Sequence, residues 1–233
     1  MNDIYKRTQA LLGENAMEKI KSSKVLLFGV GGVGSYCAEA LARAGIGSFT
    51  LVDGDIVNPT NINRQLIALN STVGRYKTEV MKDRMLDINP LINVDCVNEY
   101  YSEEYDTMNF IDFAQYDYVV DCIDSIKDKL YIICKAQNTG VPIISSMGAA
   151  NKLDPSRFII TDIYKTTNCP LAKVMRHKLR ELGVKSLKVA FSGENPVKPI
   201  VPDTPLGSVS FVPSACGLVI AGEVIRNIAG VNL

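Results

Sequence analysis

Residues Lys24–Asp55 read KVLLFGVGGVGSYCAEALARAGIGSFTLVDGD. The apolar run Val25–Phe28 enters the glycine series Gly29, Gly31, Gly32 and Gly34, after which small and apolar residues recur at helical spacing through Ala38, Leu41 and Ala42. A second apolar run, Phe49–Val52, ends in Asp53, nineteen residues past Gly34. Strand, glycine turn, helix, strand and acid in this order form the fingerprint of a nucleotide-binding βαβ unit. The glycines let the backbone approach phosphates, the helix N-terminus offers free N–H groups to an anion, and the acid holds a ribose hydroxyl. The pattern by itself does not separate a dinucleotide from ATP.

A length of 233 residues is enough for one large α/β domain with a full core. Lys+Arg and Asp+Glu both number 25, so no global field draws in nucleic acid or an anionic membrane, and such a partner must be met by a local patch. The N-terminus lacks a signal-peptide core, and no apolar run reaches the roughly 20 residues of a membrane span, so the expectation is a soluble, cytoplasmic protein. The six cysteines are scattered without a Cys-x-x-Cys pair, so no structural zinc is expected.

Residues 1–21 read as a polar helical arm carrying Arg7, with an apolar stripe of Tyr5, Leu11, Leu12, Met17 and Ile20. Asp53 to Gln65, containing Asp55, Asn61 and Arg64, is rich in turn formers and phosphate-binding groups and marks a functional loop. A helix is predicted over Gly74–Ile88 with Lys77 in its first turn, where a cation opposes the helix dipole and a bound anion would explain it. Strands are predicted at Ile92–Val97, Tyr118–Ile123, Pro142–Ser146 and Arg157–Asp162, with a helix over Ile126–Asn138. Asp124 falls between a strand's carboxyl end and a helix, where open parallel sheets keep their ligands. This order predicts an α/β fold with a doubly wound, mostly parallel sheet. Within Lys173–Lys188, six bases (Lys173, Arg176, Lys178, Arg180, Lys185 and Lys188) stand against one Glu, on an amphipathic helix with Leu171, Val174, Met175, Leu179 and Leu182 inward and Gly183 as cap. In a chain of zero net charge this is the one local field suited to phosphates. Residues 192–208 read as a crossover loop and Ser214–Ile228 as a final helix, suited by Gly217, Ala221 and Gly222 to close packing on the sheet or across a dimer.

The set Gly29-x-Gly31-Gly32-Val33-Gly34-Ser35, Asp53-x-Asp55, Asn61-x-Asn63-Arg64-Gln65, Lys77 and Asp121-x-x-Asp124 resembles the adenylation domain of ubiquitin-activating enzymes and of the bacterial ThiF- and MoeB-type enzymes that activate sulfur-carrier proteins. Within that superfamily, Glu39-Ala40-Leu41-x-Arg43-x-Gly45-Ile46-Gly47, Ile88-Asn89-Pro90, Pro170-Leu171-Ala172-Lys173 and Gly207-Ser208 followed by Ser210-Phe211-Val212-Pro213 resemble the tRNA threonylcarbamoyladenosine dehydratases. The resemblance implies one Rossmann-like ATP-binding adenylation domain: a helical arm (1–21), a nucleotide-binding core (22–162) and a substrate-side extension ending in a helix (163–233). It implies ATP and magnesium as cofactors, and a homodimer. Gly29, Gly31, Gly32, Gly34, Asp53, Asp55, Asn61 and Gln65 would hold the nucleotide, Arg64 and Lys77 the triphosphate, Asp124 the magnesium, and Arg7 would reach a neighbouring subunit's site. The partner implied is tRNA, on the basic helix, with a sulfur-relay protein as a further one. The reaction implied is ATP-dependent closure of a ring on the tRNA nucleoside; the alternative is adenylation of the C-terminal glycine of a small sulfur carrier. Cys169 stands where much of the family has an acid, and it is not assigned a catalytic role.

Overall fold

The computed structural model describes residues 3–108, 111–201 and 206–231. Seven strands form one sheet in the order β3-β2-β1-β4-β5-β7-β6. They are β1 (Lys24–Phe28), β2 (Ser48–Val52), β3 (Asn93–Val97), β4 (Tyr118–Asp121), β5 (Ile143–Ser146), β6 (Phe158–Asp162) and β7 (Lys188–Ser192). All neighbours run parallel except β6, which is antiparallel to β7. The helices are α1 (Lys6–Leu12), α2 (Glu14–Ser22), α3 (Gly34–Ala44), α4 (Lys77–Ile88), α5 (Ile126–Thr139), α6 (Pro170–Glu181) and α7 (Phe211–Ala229).

The apolar run of β1 is continuous because helices cover both faces of the sheet. Val25 and Leu27 enter the core built with α2, α3, α4 and α7, whereas Leu26 and Phe28 enter the core built with α5 and α6. Each such side chain contributes roughly 1.5–3 kcal/mol on full burial, which fixes the register of the central strands. Helix α7 packs closely on the start of α3: a Cβ on Gly217 would lie 2.3 Å from the carbonyl oxygen of Val33, so the small residue is required there. Among the described residues α7 is the one helix long and apolar enough to cross a membrane, and here Cys216, Ile220 and Val224 are buried against the domain.

Several boundaries differ from expectation. The arm is two helices, broken at Gly13, whose φ of +85° an L side chain rarely adopts. Tyr5, Met17 and Ile20 dock as expected, but Leu11 is 84% exposed and leaves the stripe. Helix α4 begins at Lys77 and not at Gly74, because residues 74–76 fold back and Ile56 bridges Tyr76. On α6, Val174 and Leu182 face solvent while Met175, Leu179 and Ala172 are buried. Helix α7 starts at Phe211, three residues early, since Pro213 falls in a first turn whose N–H groups have no intrahelical partner anyway. Strand β7, unanticipated, inserts between β5 and β6, so the chain after β6 contributes a strand to the same sheet.

Candidate active site

The strand order brings β2, β1 and β4 side by side, and the glycine turn after β1, Asp53 after β2 and Asp124 after β4 therefore lie at neighbouring carboxyl ends. This is the point where the order reverses, the usual crevice of a doubly wound sheet. Gly29 (φ +85°) lies against β4: an added Cβ would be 2.9 Å from the backbone of Cys122. One on Gly34 would lie 1.8 Å from the carbonyl oxygen of Gly29, so the turn closes on itself. Gly31 and Gly32 face outward instead, toward Gln65 and toward Arg64 and Pro213.

The Asp53 carboxylate accepts from Val30 N–H at 2.6 Å and from Asp55 N–H at 2.9 Å, tying β2 to the glycine turn. Burial pushes its pKa up, against the opposing pull of Lys77 and the two N–H groups. Lys77, 5% exposed, donates from Nζ to Asp55 at 2.5 Å. The anion anticipated at this helix N-terminus is thus supplied within the chain by Asp55. Burial alone would raise the Asp55 pKa, but the hydrogen bonds from Lys77 and Tyr100 and the lysine charge bring it below the ordinary carboxylate value. Tyr100, from the end of β3, bonds Asp55, and this bond first of all pushes its hydroxyl up to about 12, with the charges of Asp53 and Asp124 contributing. A Cβ on Gly54 would lie 2.8 Å from the Tyr100 ring, so the glycine admits the tyrosine.

Asn61 is buried and caps its loop, accepting from Asn58 N–H at 3.0 Å. Arg64 is half-buried, its guanidinium donating to Thr60 O at 2.9 Å and Asn63 Oδ1 at 2.8 Å. Gln65 is 7% exposed, and its Oε1 has no hydrogen-bond partner although its amide lies against Gly31. An orphaned amide beside an open glycine turn fits a polar ligand. Turn, buried lysine and half-buried arginine together fit a nucleotide polyphosphate. Asp124 is exposed, and no group of three or more His, Cys, Asp or Glu among the described residues is placed to hold a metal by itself. A single carboxylate fits magnesium, which takes one or two carboxylates together with substrate phosphates.

Other expected residues stand elsewhere. Arg7 is exposed on α1, which docks at the far end of α3, where Tyr5 OH donates to Ala42 O at 3.3 Å. Eleven residues of α3, about 16 Å, separate that end from the glycine turn. The basic face is divided. Lys173, Lys178, Arg180 and Lys185 are exposed, with Arg180 stacked 5.3 Å from the Tyr164 ring. Arg176 donates to Thr166 O at 2.9 Å, and Lys188 lies on β7, 2.5 Å from Glu223. Cys169 is buried at the N-cap of α6. Sequence reasoning missed Tyr100 and Asn151 and gave no separate role to Asn63 of the loop motif; the two asparagines bind the segment entering α7: Asn63 Nδ2 donates to Ser208 O at 3.0 Å, and Asn151, at φ +57°, exchanges two hydrogen bonds with Gly207. Only the positive φ at an asparagine, invisible in sequence, marks the second.

A ThiF family profile matches residues 5–233. The chain is 44% identical over 241 residues to the tRNA threonylcarbamoyladenosine dehydratase of Bacillus subtilis, covering 96% of this chain and 94% of that protein. It is similar to the crystal structure of the Escherichia coli tRNA N6-threonylcarbamoyladenosine dehydratase in complex with ATP, with a TM-score of 0.89 at 33% identity over 98% of this chain and 94% of that one. It is also 38% identical over 135 residues, 58% of this chain and 30% of that protein, to the adenylyltransferase and sulfurtransferase UBA4 of Vanderwaltozyma polyspora. By the profile match over residues 5–233 and the 44% identity over nearly the whole of both chains, the chain belongs to the ThiF family, among the tRNA threonylcarbamoyladenosine dehydratases.

Proposed function

We propose that the protein is an ATP-dependent tRNA threonylcarbamoyladenosine dehydratase, forming an acyl-adenylate on the threonylcarbamoyl carboxylate and closing it to a ring. The observation that supports the reading is a glycine turn against the half-buried Arg64, with the buried Lys77 paired to Asp55 in the loop after β2, in a chain 44% identical to a dehydratase over nearly all its length. A carboxylate is a poor electrophile because it is anionic and would have to expel oxide. Attack of its oxygen on the α-phosphate of ATP releases pyrophosphate and leaves AMP as the acyl leaving group. Such a transfer needs positioning and positive charge more than covalent help. Arg64 would provide that charge, joined by Lys77 if its ammonium exchanges Asp55 for a phosphate, the glycine turn and the α3 N-terminus would offer N–H donors to the phosphates, and Asp53 would take the ribose. Asp124 would hold magnesium, which adds charge along the triphosphate. A nitrogen of the same side chain then attacks the acyl carbon, AMP leaves, and a five-membered ring forms with net loss of water. Because both groups belong to one side chain, proximity supplies the acceleration and no cysteine is needed.

The tRNA would lie on the exposed bases of α6, and the enzyme would act as a homodimer in the cytoplasm. Adenylation of a sulfur carrier is the alternative, favoured by the similarity to UBA4 over 135 residues. The deciding experiment incubates the protein with ATP, magnesium and threonylcarbamoylated tRNA and weighs the nucleosides. Loss of 18 Da (one water, about 18) with AMP formation is expected. AMP and pyrophosphate formed only with a carrier protein ending in Gly-Gly, and no change in the nucleoside, would replace the reading with the alternative.

A further inference from the structure

Beneath the site lies an ion pair the reaction does not use. Lys129 Nζ donates to Asp121 Oδ2 at 2.7 Å and to Ser145 Oγ at 3.1 Å, and Ser145 Oγ donates to the same carboxylate oxygen at 2.6 Å. All three residues are fully buried. Removing two charges from water is costly, and an apolar pair of similar volume commonly stabilises a fold as well or better. Retention of the ions therefore points away from stability and toward geometry. Lysine in a helix first turn also runs against the helix dipole, as at Lys77 of α4, and in both helices a carboxylate from a strand end answers it.

What the pair encloses is the turn bearing Asp124. At the start of the turn, Asp121 Oδ1 accepts from Ile123 N–H at 3.3 Å, and Cys122 N–H donates to Phe28 O at 2.8 Å. At its end, Lys129 N–H closes the first turn of α5 on Ser125 O at 2.9 Å. Lys129 thus grips the helix start with its backbone and the strand end with its side chain, bridging Cys122–Ser125. The same Cys122 backbone supports Gly29, so one lock fixes two parts of the site. Ser145, on β5, ties the pair to the next strand and leaves it little freedom to shift.

We propose that Asp121, Lys129 and Ser145 form a positioning unit that holds the Cys122–Ser125 turn, and with it Asp124, in register with the glycine turn. The role rests on the adenylation reading of Asp124, and the test separates the two. In Asp121→Leu/Lys129→Met the buried charges are replaced together by apolar groups. Hydrogen exchange should rise at least tenfold for amides 122–125 while β1 and β4 stay protected. The magnesium concentration for half-maximal ATP binding, followed by calorimetry, should rise at least tenfold with the melting temperature near wild type. Exchange and magnesium dependence within twofold of wild type in the folded double variant overturn the proposal. If the double variant does not fold, Ser145→Ala decides: it keeps the ion pair and removes its tie to β5, and at least a threefold rise in exchange at 122–125 is expected, no rise being the overturning result. If wild-type protein shows no magnesium-dependent ATP binding, the adenylation reading fails instead, while the exchange result still reports on the lock.

Discussion

Asp55, after β2, and Asp124, after β4, stand on either side of β1 at the carboxyl ends of the strands and differ in what their charges meet. Asp55 is paired with Lys77 and Tyr100, which hold its folded pKa below the unfolded one against the opposing effect of burial. Its contribution to stability is therefore present above the unfolded value, about 3.9, and is lost as the pH falls through the lower folded value. With 45% of the side chain exposed, solvent screens the pair, and the contribution is on the order of 1 kcal/mol or less. Asp55→Asn should accordingly lower the melting temperature by a few degrees at neutral pH, and the gap to wild type should close in strong acid; a gap that persists there would show that the loss is steric. Asp124 is exposed at a strand end, so Asp124→Asn should leave the melting temperature within about 2 °C while removing most ATP turnover. Retained turnover would exclude it from the phosphate chemistry. Asp53, Lys77 and Asp124 stand out in the sequence because each follows a strand or opens a helix, whereas Asp55 and Arg64 lie in a loop marked only by its composition and take their expected roles from the family resemblance. The bonds Tyr100–Asp55, Asn63–Ser208 and Asp121–Lys129 were not legible, since their partners lie 45, 145 and 8 residues apart and meet only across folded elements.

Among the elements, β1, α3 and β2 were readable because local period and burial agree there. Strand β7 was not: Leu187, Val189 and Phe191 alternate with Lys188, Ala190 and Ser192, but Lys185 and Lys188 continue the charge run of α6, and only its two strand neighbours make the segment a strand. The same misreading matters for α6 as a nucleic-acid surface. Lys188 is paired with Glu223 and Arg176 is bonded to Thr166, so changing either disturbs packing as well as charge. Lys173 and Lys178 are exposed on the helix, and their loss probes charge alone. Lys173→Glu/Lys178→Glu should weaken tRNA binding and flatten the log–log salt dependence by roughly 0.7–0.9 for each phosphate contact removed. ATP affinity should be unchanged. Unaltered tRNA affinity would make the helix an ordinary solvated face.

Arg7 stands apart from the glycine turn of its own chain, exposed on α1. Its helix docks at the end of α3 opposite the glycine turn, so a role for Arg7 in adenylation requires a second subunit. The exposed flank of α7 would offer such a subunit a surface: Phe211 (48% exposed) and Leu218 (52%) are seven residues apart on one helical face, beside the buried face that packs on α3. A two-fold contact of this kind is isologous, and each protomer would lend Arg7 to the other. The consequence is a complementation test. Arg7→Ala and Lys77→Ala should each be nearly inactive as pure dimers. Mixed one to one and allowed to exchange, half the dimers would be hybrids, and in each hybrid one of the two sites has both its own Lys77 and a partner's Arg7. Turnover should then recover to about a quarter of wild type. Leu218→Glu, introduced into both chains, should give monomers by light scattering and abolish the recovery. No recovery in exchanged dimers would place Arg7 outside the site, and a monomeric wild-type protein would remove the shared-site arrangement altogether.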